Sequence, residues 1–555
     1  MRQGRLAHSL LSQAMQPGAR RFRAGRKHLE KAQRQRMAAI IHQVARSPLG
    51  QQKGITRDWR WEDVADRLPV TEYADWGASV QAQMEQGTDG LTCSPVQRYQ
   101  PTSGSSAAIK WIPYTRQFLK ELDAAIAPWL ADLYRRYPGI GQGHHYWSLS
   151  WLPTEMRERV SGHINDDMKL LSQGKRRLAS RTQAVPESVS LADTSEDSLF
   201  ATLAYLAADP ELSAMSIWSP TFGLGLLERL SEWRMELAVV MEKGHWGARR
   251  HRLPALKAPY APRAAGLLRE WNGERSPEFY RQLWPNLALI SAWGTAAAAP
   301  WAETLKACLP HADFQGKGLW ATEGVVTIPQ GPEGDHVLAV NSHAYEFEDT
   351  VTGQILPPWQ LEKEQEVVPL MTTGSGFLRY RLGDRVRVTG FDGALPCLTF
   401  LGRDDGVDMV GEKTATVAIQ QLLEGMSWPE GVRPVTVLGA ARGGSDGHPA
   451  YILLAEAEPG VSREACSAIS AELARQVELG MKTHFHYQLA RNLGQLDAAR
   501  CVCRPGVRSD YITACTELGM IDGDIKVEAL KGWPGELPES LRPETAVPAE
   551  REAFA

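Results

Sequence analysis

Three stretches of this sequence gather side chains that do chemistry and make poor core. The first is Thr102-Ser-Gly-Ser-Ser-Ala-Ala-Ile-Lys110. Small residues around Gly104 let backbone N–H groups approach phosphate oxygens, and the hydroxyls of Ser103, Ser105 and Ser106 add donors. Lys110 brings a positive charge to the same anion. The stretch is not a Walker loop, because G-x-x-x-x-G-K-[ST] is absent; taken alone it also fits a serine-rich surface loop. The second is Leu319-Trp-Ala-Thr-Glu-Gly324, which sets Thr322 and Glu323 directly after an apolar strand pattern. The third is Gly376-Phe-Leu-Arg-Tyr-Arg-Leu-Gly-Asp384, where Gly383 breaks the strand and frees the Asp384 carboxylate at a bend.

The elements that must carry these residues follow from periodicity. Val386 and Val388 alternate with Arg385 and Arg387, which predicts a half-buried strand. Asp392-Gly393 is a turn signal and Leu398–Leu401 returns as a second strand. Gly402-Arg403-Asp404-Asp405-Gly406 then forms a polar knot without apolar period; an isolated hairpin of this kind also reads as exposed and solvated. Helical spacing runs over 29–44, 116–135 and 199–208, and Ile469, Leu473 and Val477 mark one helix face that stops at Gly480. Met215-Ser-Ile-Trp-Ser-Pro-Thr-Phe222 reads as a buried strand ending in a turn. Residues 155–195 read as a long irregular loop, and 533–555, rich in Pro and Glu, as a disordered tail.

Three further patterns carry less. Gly443-Gly-Ser-Asp-Gly447 matches G-x-S-x-G, but it lies between strand patterns at 435–438 and 451–455, and a nucleophile elbow needs strand–turn–helix. His144-His145 has no metal-ligand partner at helical or finger spacing, which favours a structural role. Residues 1–29 contain no acid but carry Arg2, Arg5, Arg20, Arg21, Arg23, Arg26 and Lys27. That composition allows a transit peptide; a solvated basic arm over 1–28 is the preferred expectation.

The 555 residues hold 43% hydrophobic and 23% charged side chains, an ordinary soluble globular balance. A net charge of −4 argues against general nucleic-acid binding. Seven cysteines without paired spacing suit a reducing cytoplasm, and no apolar run reaches membrane-spanning length.

In order, these motifs resemble those of acyl-adenylate-forming enzymes. The wording of Leu378-Arg-Tyr-Arg-Leu-Gly-Asp384 resembles one branch, the Gretchen Hagen three family of acyl-acid amido synthetases. The resemblance spans about residues 29–530. It implies an α/β fold: a large N-terminal domain of mixed sheets flanked by helices (29–403) and a smaller, mobile α+β domain (404–532). It also implies a set of roles. Ser103, Gly104, Ser105, Ser106 and Lys110 would hold the ATP phosphates. Glu323 would hold Mg2+, and Thr322 would bond the α-phosphate. Tyr345, in Ala344-Tyr-Glu-Phe347, would lie beside adenine, and Asp384 would bind the ribose. Arg403 would precede a hinge at Asp404 or Asp405. Lys413 matches a Gly-Glu-Lys element, and Lys526 would reach the carboxylate and α-phosphate. Trp218 and Phe222 would line the acyl pocket. Departures are Ala107 for a usual glycine, Ala344 for a usual aromatic, and the missing glutamine and proline around Lys526.

The implied activity is ATP-dependent: a small carboxylic acid becomes an acyl adenylate with release of pyrophosphate, and the acyl group passes to an amine, by resemblance an amino acid. The expected protein is a cytoplasmic monomer that binds neither nucleic acid nor membrane. An acyl-CoA or carrier-protein ligase shares the first half-reaction, and a nucleotide-binding homologue without catalysis shares the motifs.

Overall fold

The computed structural model describes residues 2–87, 90–102, 110–149, 151, 173–253, 256–295, 298–330, 335–403, 406–407, 409–410, 412, 414–444, 448–492, 495–520 and 525–543. The chain divides into two compact units. One comprises residues 1–104, 108–400 and 521–524, the other 105–107, 401–520 and 525–555.

The larger unit begins with two helices, α1 (Arg2–Lys27) and α2 (Leu29–Val44). The basic arm expected over 1–28 is corrected by α1. Its Ala7, Leu11, Met15, Ala19 and Phe22 fall on one helical stripe and are buried, while Arg5, Arg20, Arg21, Arg23 and Arg26 stay exposed. The charges occupy only the outer face. The inner face packs on the helix Arg116–Arg136, closely enough that a Cβ on Gly18 would lie 2.5 Å from the Ala127 Cβ. His8 seals the crossing, with Nδ1 on the Tyr134 hydroxyl at 2.8 Å and Nε2 on the Gly143 carbonyl at 2.6 Å.

Next comes an antiparallel ribbon of β1 (Val96–Thr102) and β2 (Lys110–Thr115), with Thr102 opposite Lys110. Strands β3 (His144–Trp147), β4 (Leu212–Ser216), β5 (Leu289–Ala292) and β6 (Asp313–Gly316) form a parallel sheet in that order. All residues of β4 and β5 are buried, as strands covered on both faces require. His144 pairs with Asp209 at 2.8 Å, and His145 donates to the Ile140 carbonyl at 2.8 Å, so both have structural partners. The loop expected over 155–195 is partly helical: Gln173–Ala179, Ser180–Thr182 and Glu187–Leu191 are short helical turns.

A tight pair, β7 (Trp320–Ala321) and β8 (Gly324–Val325), precedes an eight-stranded sheet. Its strands are β9 (Thr327–Gln330), β10 (Asp335–Leu338), β11 (Ala344–Asp349), β12 (Ile355–Leu356), β13 (Glu366–Thr372), β14 (Tyr380–Arg381), β15 (Asp384–Asp392) and β16 (Leu395–Arg403). The order is β12-β11-β13-β15-β16-β10-β9, with β14 on β13. The predicted alternation holds: Val386 and Val388 are buried, and Arg385 and Arg387 both reach Glu366 at 2.7 Å on the other face. Gly393 takes φ 65° at the turn between β15 and β16.

The smaller unit holds β17 (Gly406–Val407), β18 (Thr414–Ala415) and a mixed sheet of β19 (Val432–Ala440), β20 (Ala450–Ala457), β21 (Arg500–Arg504) and β22 (Leu530–Trp533) in the order β21-β20-β19-β22. Strands β19 and β20 are antiparallel neighbours, as a hairpin around Gly443 requires. The helix Arg463–Met481 buries Leu473 and Val477. The disordered tail expected from 533 is corrected over its first part. Trp533 ends β22, and Leu537 and Leu541 are buried; three apolar anchors outweigh the surrounding Pro and Glu. Residues 544–555 lie outside the described residues.

Candidate active site

The Arg-Leu-Gly-Asp stretch is held by a strap from far upstream. Thr71 of Pro69-Val-Thr-Glu-Tyr73 donates its N–H to the Arg379 carbonyl at 3.0 Å and accepts from the Arg381 N–H at 2.9 Å. Its hydroxyl donates to the Leu378 carbonyl at 2.8 Å. Arg379 itself sits at φ 50°, unusual for a side chain with a Cβ. Its guanidinium makes a bidentate pair with Glu346 at 2.9 and 3.0 Å and donates to the Ala65 carbonyl at 2.8 Å. Burial raises the Glu346 carboxyl while the Arg379 charge opposes that rise. Arg381 Nε donates to Glu348 Oε2 at 2.5 Å. With 378–381 locked, Gly383 at φ 77° turns the chain, and half-buried Asp384 opens β15.

Thr322 and Glu323 occupy the turn between β7 and β8. The Tyr380 hydroxyl donates to Glu323 Oε1 at 3.4 Å, and the Tyr114 hydroxyl donates to the Thr322 carbonyl at 3.0 Å. Lys110 Nζ lies 5.7 Å from the Tyr73 ring centroid, and the Trp111 N–H donates to the Tyr73 hydroxyl at 2.7 Å. Burial raises the Tyr73 hydroxyl above the usual tyrosine range, and the Glu323 charge adds to the shift. Lys110 thus meets Tyr73, Tyr380 meets Glu323, and the Glu323 charge is felt at Tyr73. These contacts bring the flank of the serine-rich loop, the Thr-Glu turn and the Arg-Leu-Gly-Asp stretch to one region of the larger unit. Phe377 stacks on Tyr380 and Trp76 beneath it, with centroids 5.2 and 5.4 Å apart.

Glu323 is a half-buried carboxylate on a turn. No group of three His, Cys, Asp or Glu side chains able to hold a metal occurs among the described residues. A single carboxylate is a hard oxygen donor of the kind that Mg2+ takes together with phosphate oxygens and water.

Other expectations fare differently. Tyr345 is corrected. Strand alternation turns it inward with Phe347, it is fully buried, and its hydroxyl donates to the Val325 carbonyl at 2.5 Å. It is a core residue with no face for a base. The chemistry of its strand lies on the alternate positions, Glu346 and Glu348, which hold the two arginines. Trp218 and Phe222 are partly exposed, with ring centroids 5.3 Å apart. Trp218 follows β4, and Phe222 lies in the first turn of the helix Pro220–Glu232, capped by Ser219. The Trp293 N–H, after β5, donates to the Trp218 carbonyl, and the Trp293 ring meets Phe400 at 5.1 Å. Trp218 and Trp293 stand just beyond the carboxyl ends of the parallel strands β4 and β5, where open α/β sheets bind ligands.

Ser103, Gly104, Ser105, Ser106, Asp404, Asp405 and Lys413 lie outside the described residues, and Arg403 is described only as the last residue of β16. In the smaller unit, exposed Lys526 precedes β22. Glu412 is buried there and accepts from the Met409 and Val410 N–H groups at 3.0 and 2.8 Å and from the Tyr451 hydroxyl at 2.6 Å. Sequence reasoning missed Glu346, Tyr380, Tyr114 and Tyr73 as builders of the site. The spacing of Glu346 and Glu348 matches that of Arg379 and Arg381, and was the available signal for the first.

The architecture is that of a large mixed α/β unit with a smaller α+β unit. Models of the GH3 family N-terminal domain and central domain match residues 18–314 and 336–403. The chain belongs to the GH3 family. Its fold is similar to that of the "AtGH3.15 acyl acid amido synthetase in complex with 2,4-DB", with a TM-score of 0.76, 16% identity and 95% of both chains covered. A second structure, "GH3.15 acyl acid amido synthetase", matches with a TM-score of 0.73, 16% identity and 93% of both chains. The indole-3-acetic acid-amido synthetase GH3.10 of Arabidopsis thaliana is 31% identical over 144 residues, 22% of this chain and 24% of that protein. Among the described residues, no helix is long and apolar enough to cross a membrane.

Proposed function

We propose that this chain is an ATP-dependent acid–amine ligase. In the first half-reaction a carboxylate oxygen attacks the α-phosphorus of ATP and pyrophosphate leaves. In the second an amine, by family an amino acid, attacks the acyl carbon; AMP leaves and the amine proton passes to solvent. The observation that carries this reading is the hydrogen bond from Tyr380 to Glu323, which joins two nucleotide-type motifs 57 positions apart. Family membership and the fold support it.

The first transition state crowds negative charge around the α-phosphate, and preorganised donors there do most of the work. Lys110 and the Ser103–Ser106 loop serve the phosphates, with Thr322 at the α-phosphate. Asp384 takes the ribose. Glu323 is the carboxylate that would hold Mg2+, which when bound neutralises phosphate charge. By family resemblance Lys526, of the smaller unit, serves the reacting carboxylate and the α-phosphate, Lys413 of the Gly-Glu-Lys element serves ATP, and Asp404 or Asp405 is the hinge. Trp218 and Phe222 take the apolar part of the acid.

The test is a screen of carboxylic acids for pyrophosphate release from ATP, with each active acid offered an amino-acid mixture or CoA. The expected result is acid-dependent AMP and a mass shift matching an amide. A thioester in place of the amide overturns the acceptor assignment, and the absence of acid-dependent AMP overturns the ligase.

A further inference from the structure

Beneath the Thr322–Glu323 turn lies an acid–imidazole pair that no step above uses. Glu121, on the helix Arg116–Arg136, and His343, just before β11, are both completely buried. His343 Nδ1 is 2.9 Å from Glu121 Oε2. The Val325 N–H points at His343 Nε2 from 3.3 Å. A nitrogen that accepts from an amide N–H carries no proton, so the imidazole is neutral, with its proton on Nδ1 donated to Glu121. Phe118 stacks on the ring at a centroid distance of 5.3 Å, and a Cβ on Gly324 would lie 2.7 Å from Nε2. The imidazole is thus wedged against the strand that closes the Thr-Glu turn.

The other end of the pair meets a second turn. Glu121 Oε2 also accepts from the Gly374 N–H at 2.8 Å, and Oε1 accepts from Gln117 at 3.1 Å. Thr115, the residue that ends β2, donates its hydroxyl to the Gly374 carbonyl at 2.6 Å. Gly374 has no room for a side chain, since a Cβ would lie 2.7 Å from both Gln117 Cγ and Glu121 Oε1. Residues 373–376 lead directly into the Arg-Leu-Gly-Asp stretch. One buried carboxylate and one neutral imidazole therefore tie together the turn bearing Glu323, the turn leading to Asp384 and the end of the strand that starts at Lys110. An apolar pair of the same size would leave the N–H groups of Val325 and Gly374 unpaired in a dry interior, each a costly defect.

We propose that Glu121 and His343 are positioning residues that hold Glu323 in register with the Asp384 segment. This deepens, and rests on, the reading of Glu323 as the carboxylate that meets the ATP-bound cation. The supports of a metal-binding group typically contribute about 10–100-fold in metal affinity.

The test is calorimetric titration of the full chain with ATP, with and without Mg2+. His343→Asn keeps a donor toward Glu121 and loses the acceptor for Val325; His343→Gln keeps an acceptor at the ε position. The expected result for His343→Asn is a Kd for ATP with Mg2+ weakened at least about tenfold, with Mg2+-free ATP binding changed less than about twofold. His343→Gln restores most of the Mg2+ increment. Gly374→Ala, which pushes the pair from its far end, loses the increment too and serves if His343→Asn does not fold. Glu323→Gln is the reference. If it loses the increment and neither His343→Asn nor Gly374→Ala does, the positioning role is overturned and the reading of Glu323 stands. If Glu323→Gln keeps the increment, the reading of Glu323 falls and the positioning role with it.

Discussion

At the scale of single residues, the candidate site is held by buried, paired side chains. Arg379 lies inside the most recognisable stretch of the sequence, yet it points inward at φ 50° and is neutralised by Glu346. Both are nearly buried, at 6% and 4% exposure. Removing one partner strands the other charge in a dry interior, so Glu346→Ala is expected to cost about 3–5 kcal/mol, read as a fall in the urea midpoint. A wild-type midpoint would show that solvent reaches Arg379. Tyr345 teaches the converse. An aromatic in a strand beside a nucleotide motif invites a stacking role, but strand alternation assigns it to the core. Identity and spacing singled out Glu323 and Asp384 as candidates. They could not separate Arg379 from Arg381 or Tyr345 from Tyr380, because which face is dry depends on Thr71 and Glu346, distant in sequence.

At the scale of elements, α1 is the clearest case. Its charges read as a solvated arm, whereas its apolar stripe and His8 lock it onto the Arg116–Arg136 helix. The His8 and His145 rings lie tilted against each other with centroids 4.5 Å apart. Burial lowers both, and His145, with the His8 charge adding to the effect, is pushed down to about 3. A histidine lowered in the folded state takes its proton only on unfolding. Below the unfolded value, about 6.5, the unfolded chain binds more protons and stability falls with pH until about 3. His144 opposes this, because its hydrogen bond to Asp209 raises it. Its contribution is full below about 6.5 and is lost as pH rises through its folded value. The large lowering of His145 sets the sign, and the lowered His8 and His311 act with it against the one raised group. The expected outcome is a urea midpoint that drops between pH 7 and 5, by up to about 1.4 kcal/mol per pH unit for each proton, with α1 amides exchanging first. A midpoint flat over that range would mean that His8 and His145 remain solvated.

At the scale of the whole molecule, the proposed roles divide between two units. Asp384 and Glu323 belong to the larger and Lys526 to the smaller, so ligand binding and chemistry should separate on mutation. Asp384→Ala is expected to raise the Kd for ATP. Lys526→Ala is expected to leave that Kd near wild type and slow acid-dependent pyrophosphate–ATP exchange about a hundred- to thousandfold. Equal losses of binding and exchange in Lys526→Ala would place that lysine on the ground-state nucleotide. By itself, the sequence determined which stretches carry hydroxyls, carboxylates and lysines in an order suited to activating an acid, and where helical and strand periods lie. Those properties are set by neighbours a few positions away. Only the tertiary structure decided that a basic N-terminus is a packed helix, that Trp533, Leu537 and Leu541 anchor the chain beyond β22, and that Glu346 and Glu121 serve other residues. Burial is set by partners hundreds of positions apart, and no local spacing records them.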